Sequence, residues 1–247
     1  MKVTPLLFAI LVLFQQCSQN TTVKLTKQID REIVLVNIGE GNRTFISDLL
    51  LKINSFNPKL IAVDAWFIEE KDQFQDSALI NAFKNIDQDI LAYHFSLYDK
   101  ALRSHSKFTS FVRDEGFAVV NKKNGLASDF YPIKTINNQV HEHFALKILK
   151  YWKPELKYDF KPNKEIPIKF TRNADRFIKL EYSFLNDIDS NVLKNKVVLV
   201  GYLGPTDEDK HFTPMRYFDE YPEGKPDTYG LVIVANQIRT LLDYLSD

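Results

Sequence analysis

The chain is poor in cysteine and glycine and carries no net charge. Cys17 is the only cysteine among 247 residues, so no disulfide can form within the chain. Lysine plus arginine and aspartate plus glutamate both number 32, which leaves no net field to attract nucleic acid. Eight glycines against nineteen phenylalanines and eleven tyrosines favour packed layers rich in aromatic rings. We therefore predict no nucleic-acid partner and no disulfide framework.

Several catalytic signatures are also missing. The sequence has no Gly-x-Ser-x-Gly elbow, no phosphate-binding Walker loop and no HExxH or CxxC motif. The turn Gly39-Glu-Gly41-Asn-Arg-Thr44 resembles a dinucleotide-binding fingerprint with Asp64 about twenty residues later, but Thr44 stands in place of the third glycine. We interpret it as a short turn between a strand and a helix. The sequence predicts no cofactor, and it does not support an enzymatic function.

The N-terminus has the features of an export signal. Lys2 precedes an apolar run at residues 6–14, which is too short to cross a bilayer core of roughly 30 Å but fits a secretory signal. Cys17 follows with polar residues behind it, as in a bacterial lipoprotein, although Gln15 and Gln16 stand where small residues are usual. We predict a signal peptide over residues 1–20, lipidated at Cys17, and a tether over 21–30. The alternative is a signal peptide without lipid. Either way we expect an extracytoplasmic protein, periplasmic or anchored to the envelope membrane.

Strand and helix patterns alternate along the rest of the chain. Apolar runs predict buried strands at residues 33–38, 60–64, 90–95, 116–120 and 197–200, and a proline-containing edge strand at 166–170. Helical spacing predicts helices at 45–56, 77–85, 140–151 and 232–245, with Asp76 capping the second. His141 and His143 are expected at the surface, and residues 96–134 as a loop-rich insertion. The predicted fold is α/β, one domain with a mostly parallel central sheet flanked by helices.

Asp64 is the first candidate site residue. It ends an apolar strand and precedes Ala-Trp-Phe67, so its carboxylate should emerge beside aromatic side chains at the carboxyl edge of the sheet, where open α/β folds bind ligands. A buried carboxylate needs a cation, a metal or several N–H donors, because otherwise its pKa rises and it takes up a proton. The alternative is that Asp64 only caps the following loop.

The loop after Gly201 supplies the second candidate group. Asp207, Asp209 and His211 alternate there, so in an extended segment their side chains face one side. Carboxylate and imidazole together could hold a divalent ion or act as an acid and base pair. No further metal-ligand motif supports a metal, which leaves the metal question open. The alternative is that His211 forms hydrogen bonds within its own loop.

Taken together, these segments resemble a CHASE2 domain. The resemblance covers most of residues 31–245 and is carried by the strand at 33–38, Pro58-Lys-Leu-Ile-Ala-Val-Asp64-Ala-Trp-Phe67, Asp76 with its helix, Lys196-Val-Val-Leu-Val-Gly201, His211-Phe-Thr-Pro214 and residues 230–242. Such domains are extracytoplasmic sensory modules of bacteria, usually followed by membrane helices and an output domain. Because the sequence stops at Asp247 without them, we expect a free-standing or truncated form without its own output domain.

The resemblance and the strand-edge rule together imply a sensory module that binds a small ligand or an envelope protein. The expected ligand-binding residues are Asp64, Asp76, Asp209, His211 and Asn236, the last anchoring either the ligand or a loop through its amide. The main alternative is a periplasmic hydrolase that uses Asp209 and His211, with or without a metal. A third is a structural envelope protein without a small ligand.

Overall fold

The computed structural model describes residues 25–217 and 223–246. Its strands are β1 (Asp30–Asn37), β2 (Leu60–Val63), β3 (Asp89–Phe95), β4 (Ala101–Leu102), β5 (Asp114–Phe117), β6 (Asn121–Lys123), β7 (Leu126–Phe130), β8 (Ile133–Ile136), β9 (Gln139–Glu142), β10 (Ile166–Pro167), β11 (Phe177–Leu180), β12 (Val197–Gly201), β13 (Lys210–His211) and β14 (Thr228–Tyr229). The α-helices are α1 (Arg43–Asn54), α2 (Gln73–Lys84), α3 (Ser106–Thr109), α4 (Phe144–Trp152) and α5 (Gly230–Ser246). Short 3₁₀ turns lie at Ala174–Arg176, Tyr182–Asn186, Ser190–Val192 and Pro214–Tyr217.

Six parallel strands make up the central sheet, in the order β11-β1-β12-β2-β3-β5, and the short β4 pairs antiparallel with the end of β3. The late strand β12 lies between β1 and β2, with Leu199 opposite Leu35 on one side and Ala62 on the other. Because the six strands run the same way, their carboxyl ends meet at one edge. The prediction of a mostly parallel sheet flanked by helices is confirmed.

The two faces of the sheet bury separate apolar layers. On β1, Ile33 and Leu35 pack into the cluster that holds α4 and α5, whereas Val34 and Val36 pack into the cluster that holds α1 and α2. All four side chains are fully buried. Each contributes about 1.5–3 kcal/mol on transfer from water, so both helix layers are fixed firmly to the sheet. At the end of the predicted tether, Leu25 packs against the core and Thr26 N–H donates to Thr171 O at 2.8 Å.

Two predicted helices begin elsewhere. Helix α2 starts at Gln73 and is capped by Asp72, whose carboxylate accepts from Gln75 N–H at 3.0 Å, so the prediction of Asp76 as the cap is wrong. The helix predicted from residue 140 starts at Phe144, because β8 and β9 form a hairpin directly before it. Asn137 and Asn138 form the two-residue turn of this hairpin at φ 51° and 61°, a conformation that asparagine tolerates better than most residues.

The prediction that His141 and His143 lie at the surface is wrong, because both are buried. The His141 Nδ1 atom lies 2.8 Å from the Tyr93 hydroxyl. His143 Nδ1 accepts from Ala145 N–H at 3.1 Å and so caps α4, while its Nε2 lies 3.1 Å from the Val119 carbonyl oxygen. Burial lowers the pKa of His143 to about 3, so it is a neutral structural side chain.

The edges of the sheet also differ from the prediction. Within the segment expected as an edge strand at 166–170, only Ile166–Pro167 forms a strand, and it pairs with β7 in a small separate sheet that also contains β6. One edge strand of the central sheet is β11, which runs parallel to β1 and was not predicted from the sequence. The segment expected to be loop-rich, 96–134, holds several short strands, helix α3 and the turns between them.

Candidate functional site

A cavity of about 530 Å³ opens at the carboxyl edge of the central sheet, beside the start of α5. Asp64 follows β2, His94 lies near the end of β3, and Tyr202 follows β12. The segment leading into β13 and the inner face of α5 close the other side. The polar side chains that line the cavity are those of Asp64, His94, Lys122, Tyr202, Glu208, Asp209, His211 and Gln237.

Two glycines allow the carboxylates of Asp64 and Asp209 to reach this cavity. A Cβ atom on Gly201 would lie 3.3 Å from the Asp64 Cβ and 2.8 Å from a Leu231 methyl group. A Cβ atom on Gly230, the first residue of α5, would lie 2.9 Å from Asp209 Oδ2. The backbone of Gly230 is held in place by its N–H bond to Asp209 O at 2.8 Å. A side chain at either position would therefore have to displace Leu231 or the Asp209 carboxylate, so both glycines matter through close approach rather than through a turn.

Both carboxyl groups hold their protons unusually strongly. Burial, and then the charge of Asp209, raise the pKa of Asp64 from 3.8 to about 7. Burial raises the pKa of Asp209 to about 6, although the Gly230 N–H opposes the shift. No side chain in residues 25–217 or 223–246 donates a hydrogen bond or an ion pair to either group. Near neutral pH the two groups are thus partly protonated, and neither is paired with a cation in the described residues.

The two histidines of the cavity are neutral. Burial, helped by the nearby His211, lowers the pKa of His94 to about 4. The ring of His94 lies against Trp66, with 4.0 Å between ring centroids. Burial and the charge of Lys122 lower the pKa of His211, and its buried Nδ1 atom has no hydrogen-bond partner among the described residues. The site therefore combines two uncompensated acids, two uncharged imidazoles and an aromatic wall.

Gln237 completes the cavity, and sequence reasoning missed it. Its side chain is fully buried, and within the described part of the chain neither Nε2 nor Oε1 has a hydrogen-bond partner. It lies two turns along α5 from Gly230, on the face that lines the cavity. The one available signal was a glutamine next to Asn236 in the otherwise apolar run of residues 231–238.

A comparison with family models gives one match, to the CHASE2 domain, over residues 12–247. The chain belongs to the CHASE2 family. CHASE2 domains are extracytoplasmic sensory domains, so this domain is a sensory module that acts outside the cytoplasm. No curated protein and no solved structure matches the chain. Within residues 25–217 and 223–246 there is no helix whose length and hydropathy would let it cross a membrane.

The CHASE2 structure brings together three of the five predicted site residues, Asp64, Asp209 and His211. Asp76 does not line the cavity: its carboxylate lies at the start of α2, bound by Arg43 and, at 2.8 Å, by Lys107. Hydrogen bonds from these two basic side chains hold its pKa low despite the opposing effect of desolvation. The contacts of Asp76 are those of a structural ion pair.

Asn236 is buried and also lies outside the cavity. Its Oδ1 accepts from the N–H groups of Thr171 and Arg172 at 3.1 and 3.2 Å, and its Nδ2 donates to Arg172 O at 2.8 Å. The amide thus anchors a loop, which is one of the two roles considered for it. Asp207 lines a different cavity, where it pairs with Lys210 at 2.7 Å. Cys17 lies outside the described residues.

A metal centre and an acid and base pair both find little support in this geometry. No cluster of three or more His, Cys, Asp or Glu side chains able to hold a metal ion occurs in the described ranges. Asp209 and His211 line the same cavity, yet no hydrogen bond joins them in the part of the chain that the structure covers. The arrangement is better suited to hold a polar molecule than to move a proton between these two groups.

Proposed function

We propose that this CHASE2 domain senses a small polar ligand that binds in the cavity at the carboxyl edge of the sheet. The observation that carries the proposal is Gln237, a fully buried carboxamide that lines the cavity and has no partner within the described residues. Burying an amide without hydrogen bonds costs about 1–3 kcal/mol in proteins. A ligand that supplied both a donor and an acceptor to Gln237 would offset this cost.

The rest of the cavity supports the same function. Its volume of about 530 Å³ is in the range of small-molecule sites. Its wall combines apolar surface from Trp66 and Ile233 with a few polar groups that converge from separate elements, as ligand sites commonly do. The second large cavity, about 510 Å³, is a weaker candidate, because charged groups that line it, such as Lys210 and Asp207, are already paired.

Native mass spectrometry of the purified protein tests the proposal directly. We expect a small-molecule adduct on the wild type and on the control variant Asp207→Asn, whose side chain lies outside the cavity. Gln237→Met keeps a similar volume but removes the unpaired amide, so it should lose the adduct while unfolding at the same or a higher temperature. An adduct that survives in Gln237→Met would place the ligand elsewhere. No adduct on the wild type, together with no compound that alters Trp66 emission, would refute the proposal.

We also propose that the mature protein is anchored to the envelope through a lipid on Cys17. The support is the order of Lys2, the apolar run at 6–14 and Cys17 followed by polar residues. Mass spectrometry of the N-terminal peptide from the membrane fraction should show a mature chain that begins with acylated Cys17. Cys17→Ser should move the protein into the soluble fraction, and an unchanged distribution would refute the anchor.

A further inference from the structure

The charges around the cavity favour a positively charged ligand. Asp64 and Asp209 contribute two partly buried carboxyl groups and Glu208 an exposed one, whereas Lys122, which is also exposed, is the one lysine or arginine on the wall. The two histidines add no positive charge, because burial lowers the pKa of both. An anionic ligand would meet uncompensated carboxylates, whereas a cation would allow them to ionise.

Of the four buried carboxylates elsewhere in the described residues, three are paired with a basic side chain; the fourth, Asp89, accepts from Arg113 N–H at 3.0 Å, and burial raises its pKa to about 7. Asp30 is bound by Arg239 at 2.6 Å, Asp76 by Lys107 at 2.8 Å, and Asp129 by Lys123 at 2.8 Å. Asp64 and Asp209 have no such partner in the described residues. A ligand cation would give these two acids what the fold gives Asp30, Asp76 and Asp129.

The free polar atoms indicate which kind of cation fits. A primary ammonium group has three N–H donors; the cavity offers acceptors on Asp64 and Asp209, and the unpaired Oε1 of Gln237 is buried just behind the wall. A divalent metal fits less well, since no cluster of three metal-ligating side chains is found in the described ranges. The Nε2 of Gln237 also lacks a partner, and it requires an acceptor on the ligand. The tilted rings of Trp66 and His94 provide an apolar wall for the carbon skeleton.

We propose that the ligand is a small primary amine with a neighbouring oxygen acceptor, such as an amino alcohol or amino sugar. Its ammonium group binds between Asp64 and Asp209, and its oxygen accepts from Gln237. This inference rests on the proposed function, because it assigns a chemical class to the ligand of the same cavity. It goes further in predicting that charge, and not shape alone, selects the ligand.

Matched pairs of compounds test the class. The chain has two tryptophans, so Trp152→Phe leaves Trp66, on the cavity wall, as the single reporter of binding. Ethanolamine, 3-aminopropanol and glucosamine are titrated beside ethylene glycol, 1,3-propanediol and glucose, which replace the amine by a hydroxyl. We expect at least one amine to change Trp66 emission with an affinity at least tenfold above that of its neutral partner. Asp64→Asn and Asp209→Asn should each weaken it more than tenfold, and Asp207→Asn should leave it unchanged.

The outcomes separate the inference from the function on which it rests. If the neutral compounds bind as tightly as the amines and Gln237→Met abolishes that binding, the cavity is a ligand site but the amine class is refuted. If none of the amines binds while native mass spectrometry still shows an adduct that needs Gln237, the class is refuted and the function stands. If no compound binds and native mass spectrometry shows no adduct, both the amine class and the proposed function are refuted. Thermal unfolding of each variant shows whether lost binding reflects lost fold.

If charge selects the ligand, the affinity for amines must also depend on pH, which gives a second test. Since the pKa of Asp64 is about 7, ammonium binding below that pH must first expel its proton, and affinity should fall about tenfold per pH unit towards pH 6. The decline should steepen near the pKa of Asp209, about 6. A pH-independent affinity between 5.5 and 8 would refute the ammonium contact. The other titratable or charged groups that face the cavity are His94, Lys122, Tyr202, Glu208 and His211.

Discussion

Asp64→Asn should stabilise the protein at alkaline pH and lose that advantage in acid. In the wild type the carboxyl group must ionise in a desolvated place beside Asp209, which raises its pKa from 3.8 to about 7. A group whose folded-state pKa is raised contributes stability that is fully present below its unfolded pKa and is lost as pH rises through the folded value. The wild type should therefore lose stability between pH 4.5 and 8, and the asparagine variant should lose less.

The size of the effect follows from the shift. Each pKa unit corresponds to about 1.4 kcal/mol, so a shift of about three units sets an upper limit of about 4 kcal/mol. Asp64 keeps some contact with the open cavity and is coupled to Asp209, so we expect about half of this limit. The asparagine amide has its own desolvation cost, but that cost is the same at both pH values. The difference in the free energy of unfolding between the variant and the wild type should thus change by about 2 kcal/mol from acid to alkaline pH.

Urea unfolding of both proteins at pH 4.5 and 8 measures this quantity. Asp207→Asn is a control of opposite sign, because the hydrogen bond from Lys210 lowers the pKa of Asp207 and its contribution is lost as pH falls. If Asp64→Asn changed the free energy of unfolding equally at both pH values, the carboxyl group would not be desolvated in the folded state. The reasoning about an uncompensated acid would then be wrong.

Three further predictions concern stability and geometry elsewhere. Asp76→Ala leaves the buried Arg43 without its carboxylate and should lower the free energy of unfolding by about 3–5 kcal/mol, measured in urea. The variant molecules that remain folded should bind the ligand as the wild type does. Asn236→Ala removes hydrogen bonds to the loop at Thr171 and should cost about 2–4 kcal/mol and speed amide exchange there; unchanged exchange would contradict this role. Gly201→Ala places a Cβ against Leu231 and Asp64, so it should weaken ligand binding and lower the melting temperature together.

The strongly patterned elements could be predicted from sequence. Continuous apolar runs such as the one in β12 fit strands buried on both faces, and the long helix α5 has a wide apolar stripe. Strand β11 could not be predicted, because its four residues carry no distinctive period and its place at the edge depends on pairing with β1. The hairpin before α4 was missed although Asn137-Asn138 is a recognisable two-residue turn. That omission also caused the error about His143.

The candidate site could be predicted only where it depends on the sheet. Asp64, Asp209 and His211 meet because a parallel sheet gathers the ends of its strands at one edge, which is a property of topology. Whether an acid is already paired depends on contacts far apart in the chain, such as that of Asp76 with Arg43, and no local pattern reveals them. Gln237 was hidden for the converse reason: a glutamine beside Asn236 on α5 resembles an ordinary buried amide until its missing partners are known.

The carboxylates of Asp89 and Glu115 each keep an unpartnered oxygen elsewhere in the described residues, but several uncompensated groups line this one cavity. Among them are both acids of the cavity, the Nδ1 of His211 and both polar atoms of Gln237, contributed by separate parts of the chain. Each of these buried polar groups lowers the stability of the fold while it has no partner. A fold selected for stability alone would have paired or replaced them. Residues that break local rules together, in one cavity, are expected where function opposes stability. A ligand that formed hydrogen bonds or ion pairs with these groups would stabilise the ligand-bound protein through interactions that the free protein lacks. A sensory domain needs such a free-energy difference between its free and ligand-bound states.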